Sequence, residues 1–69
     1  MTVLEFLLAS SNWFIPIEIY NRDHTQCVQY SSITDYMGAG DKKRTQYKKV
    51  SRFLFVDKKL KITTKARKI

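Results

Sequence analysis

Asp41-Lys42-Lys43-Arg44-Thr45-Gln46-Tyr47-Lys48-Lys49-Val50-Ser51-Arg52-Phe53-Leu54-Phe55-Val56 is the stretch on which the reading of this 69-residue chain turns. Laid on a helix, Tyr47, Val50, Phe53 and Leu54 gather within about 120° of one another. Lys42, Thr45, Lys48, Lys49 and Arg52 take the opposite side. Laid out as a strand, residues 44–52 show no such separation, because Arg44, Gln46, Lys48 and Val50 would share one face. The spacing therefore predicts an amphipathic basic helix over 42–55, with Asp41 as its N-cap. The apolar run Phe53 to Val56 blurs the end of this helix and can equally begin a strand.

The stretch opens the basic half of the chain. Residues 41–69 hold 12 of the 13 Lys and Arg residues against two acids, Asp41 and Asp57, a net of +10. Residues 1–40 hold one Arg and four acids, a net of −3. Such segregation points to a polyanionic partner. Lys42, Lys43 and Arg44 fall in the first turn of the predicted helix, where the macrodipole disfavours cations by about 0.3 kcal/mol or more. A bound phosphate would remove that penalty.

Upstream, Thr2-Val3-Leu4-Glu5 reads as a capping box. Val3, Leu4, Leu7 and Leu8 then share a face, which predicts a short core helix over 2–10. Trp13, Ile15, Ile17 and Ile19 alternate, which predicts a strand over 13–20 that Pro16 confines to an edge or interrupts. The competing reading starts a short helix at Pro16. Asn21-Arg22-Asp23 is a turn, and a second strand is expected over 25–30. Ser32 and Asp35 cap a short helix over 31–38, followed by the break Gly38-Ala39-Gly40. Leu60 and Ile62 alternate with Lys59, Lys61 and Thr63, a half-buried strand over 59–64. Lys65 to Ile69 is expected to be a flexible basic tail of this single domain.

Other functions find little support. One Cys and one His fall short of four metal ligands, and no cofactor is expected. Cys27 cannot form an internal disulfide, which suits a reducing, cytoplasmic compartment. His24 and Cys27 read as a turn histidine and a small buried thiol rather than a catalytic pair. The six carboxylates are scattered as caps and turn residues. The chain is not expected to be an enzyme. No apolar run approaches the roughly 18 residues of a membrane span, and Val3 to Ala9 is too short for a signal peptide and contains Glu5.

Two helices over 31–38 and 42–55 around a short Gly-containing turn form a helix-turn-helix arrangement. Thr45, Lys48, Lys49 and Arg52 would face a DNA groove, with Lys42, Lys43 and Arg44 on the backbone beside it. Lys58, Lys59 and Lys61 would lie on a wing. In Ser32–Leu54, and in Leu60-Lys61-Ile62-Thr63-Thr64-Lys65-Ala66-Arg67, the chain resembles the small winged helix-turn-helix regulators of bacteria, archaea and their viruses. The second segment is similar to their Leu-x-Leu-Thr-x-Lys-Gly-Arg wing ending, with Ala66 in place of Gly. A rival alignment puts the family's second helix at 16–22 and its recognition helix at 29–37, and makes 47–56 and 59–65 the wing hairpin. The resemblance implies an α+β winged-helix domain that binds double-stranded DNA, as a transcription or recombination accessory factor of phage or mobile-element type. The residues do not fix the oligomeric state; a homodimer is one option, since one short helix reads few base pairs. RNA binding is one alternative, with Tyr30, Tyr36, Tyr47 and Phe53 as stacking candidates. Docking of the basic half on an acidic host protein is the other.

Overall fold

Helix α1 (Val3–Leu8) begins at a complete capping box. The Glu5 N–H donates to Thr2 Oγ1 at 3.2 Å and the Thr2 N–H to Glu5 Oε1 at 2.9 Å. The first-turn N–H groups of Val3 and Leu4 have no acceptor within the helix. They donate instead to the carbonyls of Lys48 and Gln46, both at 2.9 Å. These bonds belong to a computed structural model that describes residues 1–69.

Strand β1 (Ile17–Tyr20) starts after Pro16, and β2 (Cys27–Tyr30) returns antiparallel to it. Pro16 stands just outside the ladder, where its missing N–H removes no bond, and its carbonyl accepts from the Leu60 N–H at 2.9 Å. The turn between these strands is built on Asn21, which is 1 % exposed. Its Oδ1 accepts from the Gln26 N–H at 2.8 Å, and its Nδ2 lies 2.8 Å from the Arg67 carbonyl. His24 closes the turn with φ 63. Helix α2 (Ile33–Gly38) follows, capped by Ser32, whose hydroxyl accepts from the Asp35 N–H at 3.0 Å.

A single 3₁₀ turn, Lys42–Arg44, leads towards the hairpin of β3 (Val50–Val56) and β4 (Lys59–Thr64). Its two-residue loop is Asp57-Lys58, with φ 54 and 60, the positive values a type I′ turn requires. The sheet order is β2-β1-β4-β3. The two central strands are parallel, with Ile17 beside Leu60 and Ile19 beside Ile62. Each outer strand is antiparallel to its neighbour. The chain passes from the β2 edge to the β3 edge through α2 and residues 39–49.

Alternation puts Ile17, Ile19, Leu60 and Ile62 on one sheet face, where they pack with Val3 and Leu7 of α1 and Ile33 and Tyr36 of α2. The result is two layers, helices on one sheet face. Tyr36 is buried, and its hydroxyl lies 2.8 Å from Thr45 Oγ1.

This architecture is α+β but not a winged helix, and it corrects the reading of 42–55. There is no recognition helix. A helix there would need the Gln46 carbonyl to accept from the Val50 N–H. Instead the Gln46 and Lys48 carbonyls are taken by α1, and the Val50 N–H donates to the Met1 carbonyl at 2.8 Å. Residues 50–56 then pair with β4. Asp41 makes no capping bond; its Oδ1 accepts from the Tyr30 hydroxyl at 2.9 Å. The helix-dipole argument for a phosphate at Lys42–Arg44 lapses with the helix. Of the strand expected over 13–20, only 17–20 enters the sheet. No helix starts at Pro16.

The C-terminal segment is also tied down. The Lys65 N–H donates to the Lys49 carbonyl at 2.9 Å, and the Arg22 N–H to the Ala66 carbonyl at 2.7 Å. Ile69 is buried, and its N–H donates to Gln26 Oε1 at 3.0 Å.

Two stability effects follow from these turns. Lys58 holds a left-handed conformation that costs a residue with a side chain about 1–2 kcal/mol. Lys58→Gly relieves that cost and adds chain entropy to the unfolded state, for an expected net gain of about 0.5–1 kcal/mol in urea denaturation. Asn21→Ala removes the partner of the Gln26 N–H and of the Arg67 carbonyl and leaves a gap at a buried position. The same measurement should show a loss of about 2–3 kcal/mol.

Candidate nucleic-acid interface

The β3–β4 register sorts the basic residues. On the helix side Phe53 lies beside Ile62 and Phe55 beside Leu60. Phe53 meets Phe6 of α1 edge-on, with ring centroids 4.7 Å apart. On the opposite face Arg52 lies beside Thr63, Leu54 beside Lys61, and Val56 beside Lys59. The row continues across β1, with Lys61 next to Glu18 and Thr63 next to Tyr20. The sheet face turned away from the helices therefore carries Arg52, Lys59 and Lys61.

Glu18 is the one carboxylate on this face of the strands. It is 7 % exposed, with its oxygens 3.7 Å from Lys59 Nζ and 3.8 Å from Lys61 Nζ. It also accepts from the Tyr20 hydroxyl at 2.8 Å, which holds the phenol proton well beyond the ordinary tyrosine range. The two ion pairs are long, and their lysines remain exposed enough to meet another anion. Beside them His24 stacks on Tyr20, with centroids 4.6 Å apart, and its Nε2 lies 2.9 Å from Thr63 Oγ1. His24, Arg52, Leu54, Lys61 and Thr63 help line a depression of about 330 Å³ that has no carboxylate in its wall.

Further cations mark both ends of the hairpin. Lys58 is at the turn. Lys48 and Lys49 lead into β3 and Lys65 leaves β4 at the other end, where the Lys65 N–H meets the Lys49 carbonyl. At about 3.3 Å per residue the seven residues of β3 separate these ends by roughly 20 Å. Lys59 and Lys61 are the only Lys or Arg residues with an Asp or Glu oxygen within 4.0 Å, which leaves eleven of the 13 without a close ion pair.

Other expected contact residues are placed differently. Thr45 is 1 % exposed, and its hydroxyl is engaged by Tyr36, so it cannot reach a base. Lys42 donates from Nζ to the Met37 carbonyl at 3.1 Å, and Arg44 donates to the main-chain oxygen of Ile69 at 2.7 Å. Lys43 is exposed. Lys65, Arg67 and Lys68 fall in the segment expected to be a flexible tail and outside the expected contact residues, yet all three are exposed on a segment anchored to the fold. Their charge was visible in sequence; the buried amide of Asn21 that holds their backbone was not.

Cys27 lies exposed on the outer strand β2 rather than buried. Desolvation against the sheet pushes its thiol up from its ordinary value, away from the reactive thiolate. His24 is engaged by Thr63 and Tyr20. No helix is long and apolar enough to cross a membrane. No family model, curated protein or solved structure gives a significant match to this chain.

Proposed function

We propose that this chain binds double-stranded DNA, as an accessory factor in transcription or recombination, through the cation-bearing face and ends of the β3–β4 hairpin. The observation that carries the reading is the shortage of close ion pairs: eleven of 13 cations have no Asp or Glu oxygen within 4.0 Å, and the cations follow the hairpin from end to end. Unpaired cations on a fixed scaffold bind phosphates chiefly by releasing condensed counterions. Arg52 and Lys61 at mid-strand, Lys58 and Lys59 at the turn, and Lys48, Lys49 and Lys65 at the base would meet successive phosphates. Lys43 would extend the contact, while Lys42 and Arg44 contribute charge from tethered positions.

A duplex is favoured over unpaired RNA because few of the stacking candidates are free. Tyr36 is buried, Tyr30 packs edge-on against it at 4.9 Å, and Phe53 packs on Phe6. Tyr47 stands clear at 71 % exposure, and Phe53, with its ring edge-on to Phe6, keeps 61 %. Recognition by backbone charge needs no such platform.

Fluorescence anisotropy with a labelled duplex tests the reading. About four to six phosphate contacts give an expected log–log salt slope of about −4 to −5. Replacing Lys49, Arg52 and Lys58 together by Gln should reduce the slope by about 2–3 while leaving the circular dichroism spectrum unchanged. Stronger binding to single-stranded RNA, or a slope untouched by the triple substitution, would count against it. So would a complex with an acidic protein that duplex DNA does not displace.

A further inference from the structure

Strand β3 is an outer strand, and its free edge lacks the usual protection. Edges are normally blunted by lysine, proline, bulges or a covering segment. Here Met1 and Thr2 cover only the start: the Val50 N–H donates to the Met1 carbonyl at 2.8 Å, and Thr2 bridges Lys49. A register shift follows between Val50 and Arg52. Beyond it Phe53, Leu54 and Phe55 are 61 %, 60 % and 58 % exposed. They project from both faces of the sheet, so a strand added at this edge would cover all three.

The free edge is also symmetric about its own midpoint. A two-residue hairpin loop makes its flanking residues, Val56 and Lys59, a hydrogen-bonded pair. Bonding alternates along an antiparallel ladder, so Leu54 and Arg52 also spend their backbone groups on β4. Phe53 and Phe55 turn theirs outward. The regular part of β3, Arg52 to Val56, has Leu54 at its centre, with the two outward-facing residues on either side.

We propose that two copies of this chain associate by antiparallel pairing of β3 with β3 about a two-fold axis at Leu54, joining their sheets into one of eight strands. Phe53 exchanges both backbone hydrogen bonds with the partner's Phe55, and the symmetric pair does the same. The two Leu54 side chains meet on the axis, on the face away from the helices. On the helix side the partner's Phe55 settles beside Phe53. There it lies at the mouth of an apolar groove of about 760 Å³ lined by Phe6, Ile15 and Val50 among others.

Charge fits this register. The two Arg52 residues lie four residues apart along the ladder, about 13 Å, which exceeds the screening length of about 8 Å at physiological salt. Asp57 comes opposite the partner's Ser51, next to the partner's Arg52. Shifting the axis to residue 52 would instead set Arg52 against Arg52. The three exposed side chains supply roughly 300–400 Å² per copy, below the roughly 800 Å² per partner of a standard interface. The dimer should therefore be concentration-dependent. Each copy carries a net charge of +7, so screening should strengthen association as salt rises. DNA binding should change with salt in the opposite sense, which keeps the two readings separable.

Sedimentation velocity on the full chain, without nucleic acid, tests the pairing. The expected result is a monomer–dimer equilibrium that shifts towards dimer between low and moderate salt. Leu54→Lys and Leu54→Glu should each be monomeric, since each sets like charges together on the axis. An equimolar mixture of the two should recover the dimer. Leu54 is exposed, so both variants should keep the native circular dichroism spectrum. A wild-type chain monomeric at every salt and concentration tested would overturn the proposal and leave the edge to a strand of another protein. It would equally be overturned by a Leu54→Lys variant that dimerises like wild type, or by a charge-swapped mixture that stays monomeric.

Discussion

The parallel pairing of β1 with β4 is the constraint on which the rest of the structure depends. It sets Ile17 beside Leu60 and Ile19 beside Ile62, so four large aliphatic side chains form one contiguous surface. A chain of this size buries only about 60 % of its unfolded surface and has little margin. With one free cysteine and no helix longer than six residues, that surface must be covered efficiently. Two short helices cover it with Val3, Leu7, Ile33 and Tyr36. Parallel neighbours need a long crossover, and the segment from β2 to β3 supplies it while carrying α2 over the core.

Once β1 and β4 are paired, the fate of 45–49 follows. Helix α1 must lie on the core with its N-terminus facing this segment, and its orphan N–H groups take the Gln46 and Lys48 carbonyls. These bonds oppose the local tendency to wind into a helix. The buried Tyr36–Thr45 hydroxyl pair fixes the same segment from the other side. Buried polar groups with partners thus shape the connection as firmly as the apolar core does. Asn21 plays the corresponding part at the opposite end, where it joins the β1–β2 turn to the C-terminal segment.

The two faces of the sheet then differ in character. One face is spent on stability. The other displays cations in a row that Glu18 only partly offsets. On the DNA-binding reading proposed above, these are the cations that would meet phosphates. The outer edge of β3 is a separate resource, because its backbone groups and its Phe53, Leu54 and Phe55 side chains answer to neither the core nor the basic face. Pairing at this edge would leave the basic face uncovered and would place two copies of it side by side.

Much of this was legible in the residues. The capping signals at Thr2–Glu5 and Ser32–Asp35, the alternation in 17–20 and 59–64, and the segregation of charge all depend on neighbours a few positions apart. Local pattern is enough to express them. The stretch 42–55 was not legible in the same way. Its helical wheel was a real feature of the spacing, but apolar residues recur for more than one reason. Phe53 faces the core side of a strand, Leu54 the other face, and Tyr47 neither. Asp57-Lys58 also lacks the glycine that usually announces a type I′ turn, so the hairpin entered the sequence reading only through the rival alignment, at 47–56 and 59–65, close to the observed strands. The sequence by itself determined that the chain is short, amphipathic in its first half and strongly basic in its second. Tertiary structure alone decided that the basic half is a hairpin rather than a helix. The reason is that the N–H groups of Val3 and Leu4 and the carbonyl of Met1, more than forty residues away in the chain, take the backbone groups that a helix would use, and pairing of 50–56 with β4 completes the change.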